Sequence, residues 1–171
     1  MSIERWSESL SFRKTWNVRT AQMLSFEPNA KSYLDVGAGK CYLSTLMKDG
    51  QRYVPLDMVD RSEYYDTEPT IIMDLNKDEW NITERFDVVF ASGLFEYIHD
   101  VQKLIELMAS ITDTVICSYA DTFKVKDNNN HGWVNHYTQE EFCEMFDNVG
   151  FTIEISERWK NQQIYLFRRN L

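Results

Sequence analysis

Four polar residues of this chain each follow a short apolar segment, at the point where that segment is predicted to end as a β-strand. They are Asp35, Asp57, Asp74 and Ser92. The carboxyl ends of parallel strands meet at one edge of a sheet, so these side chains are expected to share one rim. Carboxylates and hydroxyls on such a rim accept hydrogen bonds from hydroxyl and ammonium groups of a small molecule. The four positions together predict a ligand site.

A glycine-rich turn follows the first of these strands. In the stretch 32–44 the chain passes from an apolar strand through Asp35 to Gly37 and Gly39, and then into a predicted helix start. Glycines allow a tight turn and a close approach of the backbone to a ligand, and a helix N-terminus presents N–H groups. Asp57 lies 20 residues after Gly37, a spacing at which an acid can bind ribose hydroxyls. A nucleotide-like ligand is therefore predicted.

A dinucleotide site of the Gly-x-Gly-x-x-Gly type is disfavoured by the same stretch. Its third glycine position is occupied by Tyr42. Asp35, two residues before the first glycine, is atypical of that fingerprint and suits a ligand with an ammonium group near the turn. A nucleotide-sugar or NAD-binding oxidoreductase is accordingly only the third of the hypotheses for this chain.

Predicted strands and helices alternate along the chain, which indicates a mainly parallel α/β sheet with right-handed crossovers. Helix starts are indicated by Asp100 as an N-cap and by a capping box from Thr138 to Glu141, and the latter helix is expected to stop at Gly150. A short helix is also expected over 40–48. The predicted strands are 32–36, 53–56, 70–73, 86–92 and 114–119, followed by a terminal antiparallel hairpin of 151–155 and 163–167.

Two segments leave alternatives open at this point. Residues 1–30 carry apolar residues at helical spacing and predict one or two helices, which either cover the sheet or close over the ligand as a lid. The covering role is favoured for most of their aromatic residues, because helical stripes usually pack in the core. Pro55 cannot donate a ladder hydrogen bond, so it is expected at a strand end or a bulge.

The segment Leu34-Asp35-Val36-Gly37-Ala38-Gly39 resembles the first motif of class I S-adenosylmethionine-dependent methyltransferases. The later segments follow in the family's order: Asp57, then Asp74-Leu75, then 86–100 and 136–151. The similarity extends over about residues 32–169 and is strongest to small bacterial methyltransferases of sugar and surface-polysaccharide biosynthesis. It implies a Rossmann-like fold whose mostly parallel seven-stranded sheet ends in an antiparallel hairpin. One domain is expected over 1–171, with a helical lid or cover over 1–30 and a core over 31–171.

The resemblance also implies the cofactor, S-adenosylmethionine, with S-adenosylhomocysteine as product. Asp35 would lie near the cofactor's amino group, Asp57 would hold its ribose hydroxyls, and Asp74 would contact its adenine together with the backbone of Leu75. Cys41 departs from the family, which commonly has a third glycine there, and the region after Asp57 is abbreviated. The residues assigned to the cofactor by position are Asp35, Gly37, Ala38, Gly39, Asp57, Met58, Asp74, Leu75 and Ser92.

Methyl transfer to an oxygen acceptor often needs a general base, and this chain has three histidines to consider. His131 and His136 lie in the loop after the fifth predicted strand, where the family commonly contacts acceptors, and His136 is ranked slightly ahead. His99 follows the fourth strand and is expected to face solvent. For Glu96 and Tyr97, a structural role and a substrate-binding role are equally favoured.

Other features narrow the acceptor to a small molecule. Ser92-Gly93-Leu94-Phe95 stands where amino-methyltransferases of nucleic acids carry an Asp/Asn-Pro-Pro-Tyr/Phe signature. The net charge of −9 and pI of about 4.8 also disfavour a nucleic acid partner. Asp87 is expected to cap or to form a salt bridge rather than to bind a ligand. No compact set of metal ligands is found, so no metal is expected.

The cysteine count and the apolar runs bear on location. Three cysteines lie far apart, at Cys41, Cys117 and Cys143, which fits neither a disulfide framework nor a zinc site and is typical of the cytoplasm. The sequence carries no run long enough to insert into a membrane. The leading hypothesis is thus an active methyltransferase on a small molecule, possible partners being other biosynthetic enzymes. The alternative is a catalytically silent module that binds such an enzyme.

Overall fold

The computed structural model describes residues 14–123 and 131–169. Helices predicted within residues 1–13 therefore lie outside the described residues. The helices are α1 (Lys14–Leu24), α2 (Val101–Ile111) and α3 (Gln139–Asp147), with short 3-10 helices at Tyr42–Leu46, Ser62–Tyr64 and Phe95–Tyr97. The strands are β1 (Ser32–Val36), β2 (Arg52–Asp57), β3 (Ile71–Ile72), β4 (Val88–Ala91), β5 (Thr114–Ala120), β6 (Phe151–Trp159) and β7 (Gln162–Arg169).

The strands form one seven-stranded sheet in the order β3-β2-β1-β4-β5-β7-β6. The first five strands of that order pair in parallel, whereas β7 pairs antiparallel with both β5 and β6. This topology confirms the predicted mostly parallel sheet with a terminal antiparallel hairpin. The chain moves outward from β1 to β3 and then returns to place β4 on the other side of β1. The switch point of the sheet is therefore the pair β1 and β4.

Alternate residues of the central strands pack on opposite faces of the sheet, as strand geometry requires. Leu34 and Val36 of β1 join a large core cluster with α2 and α3, whereas Tyr33 joins a smaller cluster with α1 and the 3-10 helix after the glycine turn. Asp35 has the same parity as Tyr33 and so belongs to the second face. No helix in the described ranges is long and apolar enough to cross a bilayer.

Pro55 lies inside β2, opposite Asp35 in the register with β1. The carbonyl of Leu56 accepts hydrogen bonds from the amides of Gly37 and Ala38, just after β1, so the backbone groups of Leu56 point toward β1. Neighbouring residues of a strand point their backbone groups to opposite sides, so the nitrogen of Pro55 points toward β3. Strand β3 pairs only with Leu56 and Asp57. The proline thus lies beyond the end of the β2–β3 ladder, and no ladder hydrogen bond is lost there.

The helix predicted over 40–48 is replaced by a 3-10 helix of five residues, Tyr42–Leu46. Cys41 precedes it in the left-handed conformation, with φ of 59°, and provides no side-chain cap. The hydroxyls of Ser44 and Thr45 bond back to the carbonyls of Cys41 and Tyr42. Such local bonds compete with helical ones, so this segment does not extend into an α-helix.

The two predicted helix caps are confirmed. Asp100 accepts a hydrogen bond from the amide of Lys103 at the start of α2. Thr138 and Glu141 form a reciprocal capping box at the start of α3. Each cap satisfies amide groups that have no partner within the helix, which fixes where each helix begins.

Candidate active site

The glycine turn after β1 lies directly against the turn after β4. Gly37 has φ of 75°, in the left-handed region, and a Cβ added there would lie 3.0 Å from Cδ1 of Leu94. A side chain at this position would therefore strain the backbone and push against the neighbouring turn. The structure brings the turns around Gly37 and Ser92 together at the switch point, as the sequence predicts.

The amide groups of the glycine turn are largely used within the protein. Gly37 and Ala38 both donate to the carbonyl of Leu56, at 2.8 and 3.1 Å. The amide of Gly39 donates to Oδ2 of Asp57 at 2.9 Å. The turn consequently offers fewer free N–H groups than its sequence suggests. It could contact a ligand mainly by the close approach of its backbone.

Asp57 ties the end of β2 to this turn. Its second oxygen, Oδ1, accepts from the amide of Val59 at 3.2 Å and lies 3.6 Å from the guanidinium of Arg61. Burial raises the pKa of Asp57, while Gly39 and Arg61 favour its ionised form. The carboxylate is thus held at the tip of the turn, where it can accept further hydrogen bonds from a ligand. The sequence analysis did not single out Arg61, whose only signal is its place four residues after a strand-end acid.

Asp35 is 4% exposed and lies beneath the turn. Its Oδ2 accepts from the hydroxyl of Tyr53, 2.8 Å away on β2. Burial, together with the charge of Asp57, raises the pKa of Asp35 to about 7, although the Tyr53 hydrogen bond favours the ionised form. Burial, together with the charges of Asp35 and Asp57, also raises the pKa of the nearby Cys41 thiol. The groups facing Asp35 are therefore Tyr53, Cys41 and Asp57.

The raised pKa of Asp35 predicts a specific dependence of stability on pH. An unfolded aspartate titrates near pH 4 and the folded one near pH 7, so the folded state holds an extra proton in between. Stability should therefore fall as pH rises through this window, by a contribution on the order of 4 kcal/mol. Asp35→Asn should remove that contribution, as measured by urea unfolding between pH 4.5 and pH 8.

The exposed Asp49 provides a matched control, because Asp49→Asn should leave the wild-type pH profile unchanged. Parallel stability curves for the wild type and Asp35→Asn over the whole pH window would contradict the predicted titration of Asp35.

A buried arginine from α1 reaches the end of β4. Arg19 is 5% exposed. Its Nε donates to Oγ of Ser92 at 2.9 Å, and its Nη2 lies 3.3 Å from the carbonyl of the same residue. A Cβ added at Gly93, which has φ of 69°, would lie 2.8 Å from Nη2 of Arg19. Glycine at position 93 thus leaves the space that the guanidinium fills.

The sequence analysis missed Arg19 because it considered only the apolar residues of the N-terminal segment. Trp16 and Met23 lie three and four residues away, on the same face of a helix, and Met23 is fully buried. That spacing could have placed Arg19 on the face toward the sheet. Arg19 also donates a hydrogen bond to Gln162 in the C-terminal hairpin, and local spacing in the sequence could not have revealed that contact.

The residues predicted at the adenine end make mainly local contacts. Asp74 accepts from the amide of Asn76 at 3.1 Å and pairs with Lys77 at 2.8 Å. Leu75 is half-buried and packs against the larger core cluster. Met58 is half-buried after Asp57. These residues line the same edge of the sheet, and the carboxylate of Asp74 already has two partners within its own turn.

The three histidines differ in their surroundings. Nδ1 of His136 lies 3.1 Å from the carbonyl of Thr122. A carbonyl only accepts, so Nδ1 carries the proton and Nε2 is the acceptor atom of the neutral ring. His131 is exposed and stacks on Trp133 with ring centroids 4.5 Å apart, while His99 is exposed, as expected. The contact of His136 with Thr122 orients its ring and leaves Nε2 as the nitrogen that could accept a proton.

Two further residues have structural contacts. Asp87 accepts from the backbone amides of Lys31 and Ser32, which agrees with its predicted capping role. Glu96 is 1% exposed, so it lies in the interior rather than on the rim. Within the described ranges, no group of three or more His, Cys, Asp or Glu side chains could hold a metal ion.

The glycine turn, a strand-end acid and a buried arginine thus lie together at the switch point of a parallel sheet, which is where ligands bind in sheets of this type. The comparisons with known proteins identify the family of this chain. Residues 12–155 match the family described as a methyltransferase domain, so the chain belongs to the methyltransferase domain family. A search of curated proteins found no significant match.

Solved structures of proteins crystallised with S-adenosylhomocysteine share the fold. The N1-methyltransferase of Burkholderia thailandensis that was crystallised with 1,6-didemethyltoxoflavin and S-adenosylhomocysteine superimposes with a TM-score of 0.76 at 14% identity, covering 99% of this chain and 85% of that one. The N-methyltransferase NodS of Bradyrhizobium japonicum WM9, also crystallised with S-adenosylhomocysteine, superimposes with a TM-score of 0.72 at 13% identity. The match covers 98% of this chain and 96% of NodS. The N-terminal domain of EvdMO1, crystallised in the presence of S-adenosylhomocysteine and D-fucose, superimposes with a TM-score of 0.66 at 14% identity. The match covers 94% of this chain and 85% of that domain. At these identities the likeness establishes the fold.

Proposed function

We propose that this chain transfers a methyl group from S-adenosylmethionine to a hydroxyl of a small molecule, a sugar or polysaccharide precursor. The observation that carries the proposal is the meeting, at the switch point of the sheet, of the Gly37 turn with the buried Arg19–Ser92 pair. The match to the methyltransferase domain family supports it. When bound, the cofactor supplies an electrophilic methyl group on a positively charged sulfur, which the acceptor displaces in line.

The polar groups of the site complement the two ends of this cofactor. Asp57, held at the turn by Gly39, would accept hydrogen bonds from the ribose hydroxyls. At the other end, the methionine part carries one carboxylate and one ammonium group. Arg19 would pair with the carboxylate, and Asp35 would face the ammonium group, directly or through water. The adenine would lie against Leu75 and beside Asp74 and Met58.

In this proposal the N-terminal segment is part of the site, because α1 carries Arg19. The guanidinium is fixed by Ser92 and enclosed by the rings of Trp16 and Trp159, whose centroids lie 6.0 and 5.5 Å from its carbon. An arginine retains its charge at all physiological pH values, so such an enclosed group favours an anionic partner. The helix thus acts as more than a cover for the sheet.

The acceptor's proton would go to His136. When Nδ1 of the neutral ring donates to the carbonyl of Thr122, Nε2 is the nitrogen that can accept the proton. Such a base raises the rate by about 100-fold or more when its pKa lies near the working pH. A hydroxyl acceptor needs this help more than an amine does. One structural neighbour was crystallised in the presence of D-fucose, which supports a sugar as the first acceptor to test.

Net charge and cysteine chemistry support a small-molecule acceptor and a cytoplasmic location. A charge of −9 favours a small molecule over a nucleic acid as acceptor. Cys41, Cys117 and Cys143 are free thiols, and the first two are buried. Free, unpaired thiols favour the reducing cytoplasm as the location.

The test is methyl transfer from methyl-labelled S-adenosylmethionine to D-fucose and its nucleotide-activated forms, with release of S-adenosylhomocysteine measured in parallel. We expect labelled product with at least one hydroxyl acceptor. His136→Asn should lower the rate by about 100-fold and leave the affinity for S-adenosylhomocysteine unchanged. His99→Asn, which alters an exposed ring, is the matched control and should retain the wild-type rate. Transfer to amine acceptors alone would overturn the hydroxyl assignment.

A further inference from the structure

Arg19 is the first member of a hydrogen-bonded network of buried polar side chains. Its Nη1 donates to Oε1 of Gln162, and Nε2 of Gln162 donates to Oε1 of Glu96 at 2.9 Å. The same Glu96 oxygen accepts from the amide of Ala120 at 2.9 Å. Gln162 and Glu96 are 8% and 1% exposed. This network joins three separate parts of the fold: helix α1, the first residue of β7 and the turn after β4.

The amide of Gln162 has only one orientation that satisfies both neighbours. A guanidinium only donates, so it must meet the amide oxygen, and the amide nitrogen then donates to Oε1 of Glu96, which also accepts from the amide of Ala120. The two neighbours therefore fix the glutamine, and the glutamine in turn fixes where Nη1 of Arg19 lies. A leucine at position 162 would fill the space and provide neither contact.

Glu96 is an unusual residue to find at the end of such a network. Its Oε2 is buried and has no hydrogen-bond partner among the described residues. Burial raises the pKa of Glu96, and the nearby charge of Arg19 favours its ionised form. A half-satisfied buried carboxyl costs stability, and a hydrophobic residue would pack there without that cost. Its contribution is consistent with a role in placing Arg19 rather than in stabilising the core.

We propose that Gln162, backed by Glu96, is a positioning residue that holds Arg19 ready for the carboxylate of the cofactor. The inference rests on the proposed function, since it assigns the partner of a group in that same site. It also gives the C-terminal hairpin a part in cofactor binding, although Gln162 is 143 residues from Arg19 in the chain. A guanidinium fixed in advance loses less conformational entropy when the ligand binds.

Two ligands separate positioning from a purely structural role. S-Adenosylhomocysteine carries the amino-acid group with its carboxylate and ammonium, whereas 5′-methylthioadenosine retains the adenine, ribose and sulfur and lacks both charged groups. Loss of a positioning residue for Arg19 should weaken only the first ligand. General damage to the fold should weaken both.

The experiment compares Gln162→Leu with Gln163→Leu by titration calorimetry. Gln163 is the next residue on β7, and its side chain bonds to Ser156 in an exposed contact. We expect Gln162→Leu to weaken S-adenosylhomocysteine by about 10-fold and 5′-methylthioadenosine by less than about 2-fold, the effect of one charge-assisted hydrogen bond. Gln163→Leu should match the wild type for both ligands. Gln162→Met, unbranched and of similar length, repeats the test if the leucine variant fails to fold.

Equal losses for both ligands, or no loss for either, would overturn the positioning role while leaving the proposed function intact. A wild-type protein that binds neither ligand would instead overturn the proposed function, and this inference with it. The two failures are therefore distinguishable in one set of titrations.

Discussion

Replacing Arg19 with methionine is expected to weaken the binding of S-adenosylhomocysteine by about 10- to 100-fold and to leave 5′-methylthioadenosine nearly unaffected. Hydrogen bonds to charged groups contribute about 1.5–3 kcal/mol, and the loss is larger when the partner is left desolvated. Arg19 is buried and already fixed by Ser92 and Gln162, so its attraction for a carboxylate is little screened by water. Calorimetric titration of both ligands measures the difference.

Arg52→Met is the matched control for that substitution. Arg52 begins β2, is solvent-exposed and pairs with Glu68 and Glu84 away from the switch point. Its loss should change the affinity for neither ligand, since exposed ion pairs contribute little. If Arg19→Met remains folded and weakens both ligands equally, Arg19 serves only to attach α1 to the sheet, and the carboxylate assignment is wrong.

Replacing Asp57 with alanine is expected to have the second large effect on binding. Unlike the Arg19 substitution, it should weaken both ligands. The ribose is common to S-adenosylhomocysteine and 5′-methylthioadenosine, so both should lose about 1–3 kcal/mol of binding free energy. Part of the loss arises within the protein, because the carboxylate also anchors Gly39 and Val59. Asp57→Asn retains an acceptor for the Gly39 amide and should recover part of the lost affinity.

Asp60→Ala controls for changes to the same loop. Asp60 is exposed and accepts a hydrogen bond from the amide of Ser62, the first residue of the short 3-10 helix, so its removal should not alter nucleoside affinity. Unchanged binding in a folded Asp57→Ala variant would show that the ribose assignment is wrong. Together, the Arg19 and Asp57 variants test the two ends of the cofactor separately.

The sequence predicted those parts of the fold that local pattern controls. Continuous apolar runs marked β4 and β5, and side-chain chemistry marked the caps at Asp100 and Thr138, because strand burial and capping depend on near neighbours in the chain. The short helix expected over 40–48 is a 3-10 helix of only five residues for a local reason: Cys41 takes a left-handed conformation and the following hydroxyls bond back to the main chain. Polar competition of this kind is not visible in hydrophobic periodicity.

The sequence predicted the strand-end acids, the glycine turn and Ser92 as parts of the candidate site. Arg19, Glu96 and Gln162 come from three distant parts of the chain, and only the assembled sheet brings them together. No local motif signals a contact between a helix before the first strand and the start of the last one. Long-range polar contacts are therefore the part of this site that sequence reasoning could not supply.

The most direct test of the account is thermal unfolding of the wild-type protein with S-adenosylhomocysteine, with S-adenosylmethionine and with NAD as a control. At a ligand concentration of about 100 times Kd, binding adds about 2.7 kcal/mol of stability, which raises Tm by roughly 5–11 °C for a chain of this size. The account predicts such a rise with the first two ligands and none with NAD. No rise at millimolar S-adenosylhomocysteine would contradict it and would favour a catalytically silent module that binds another enzyme.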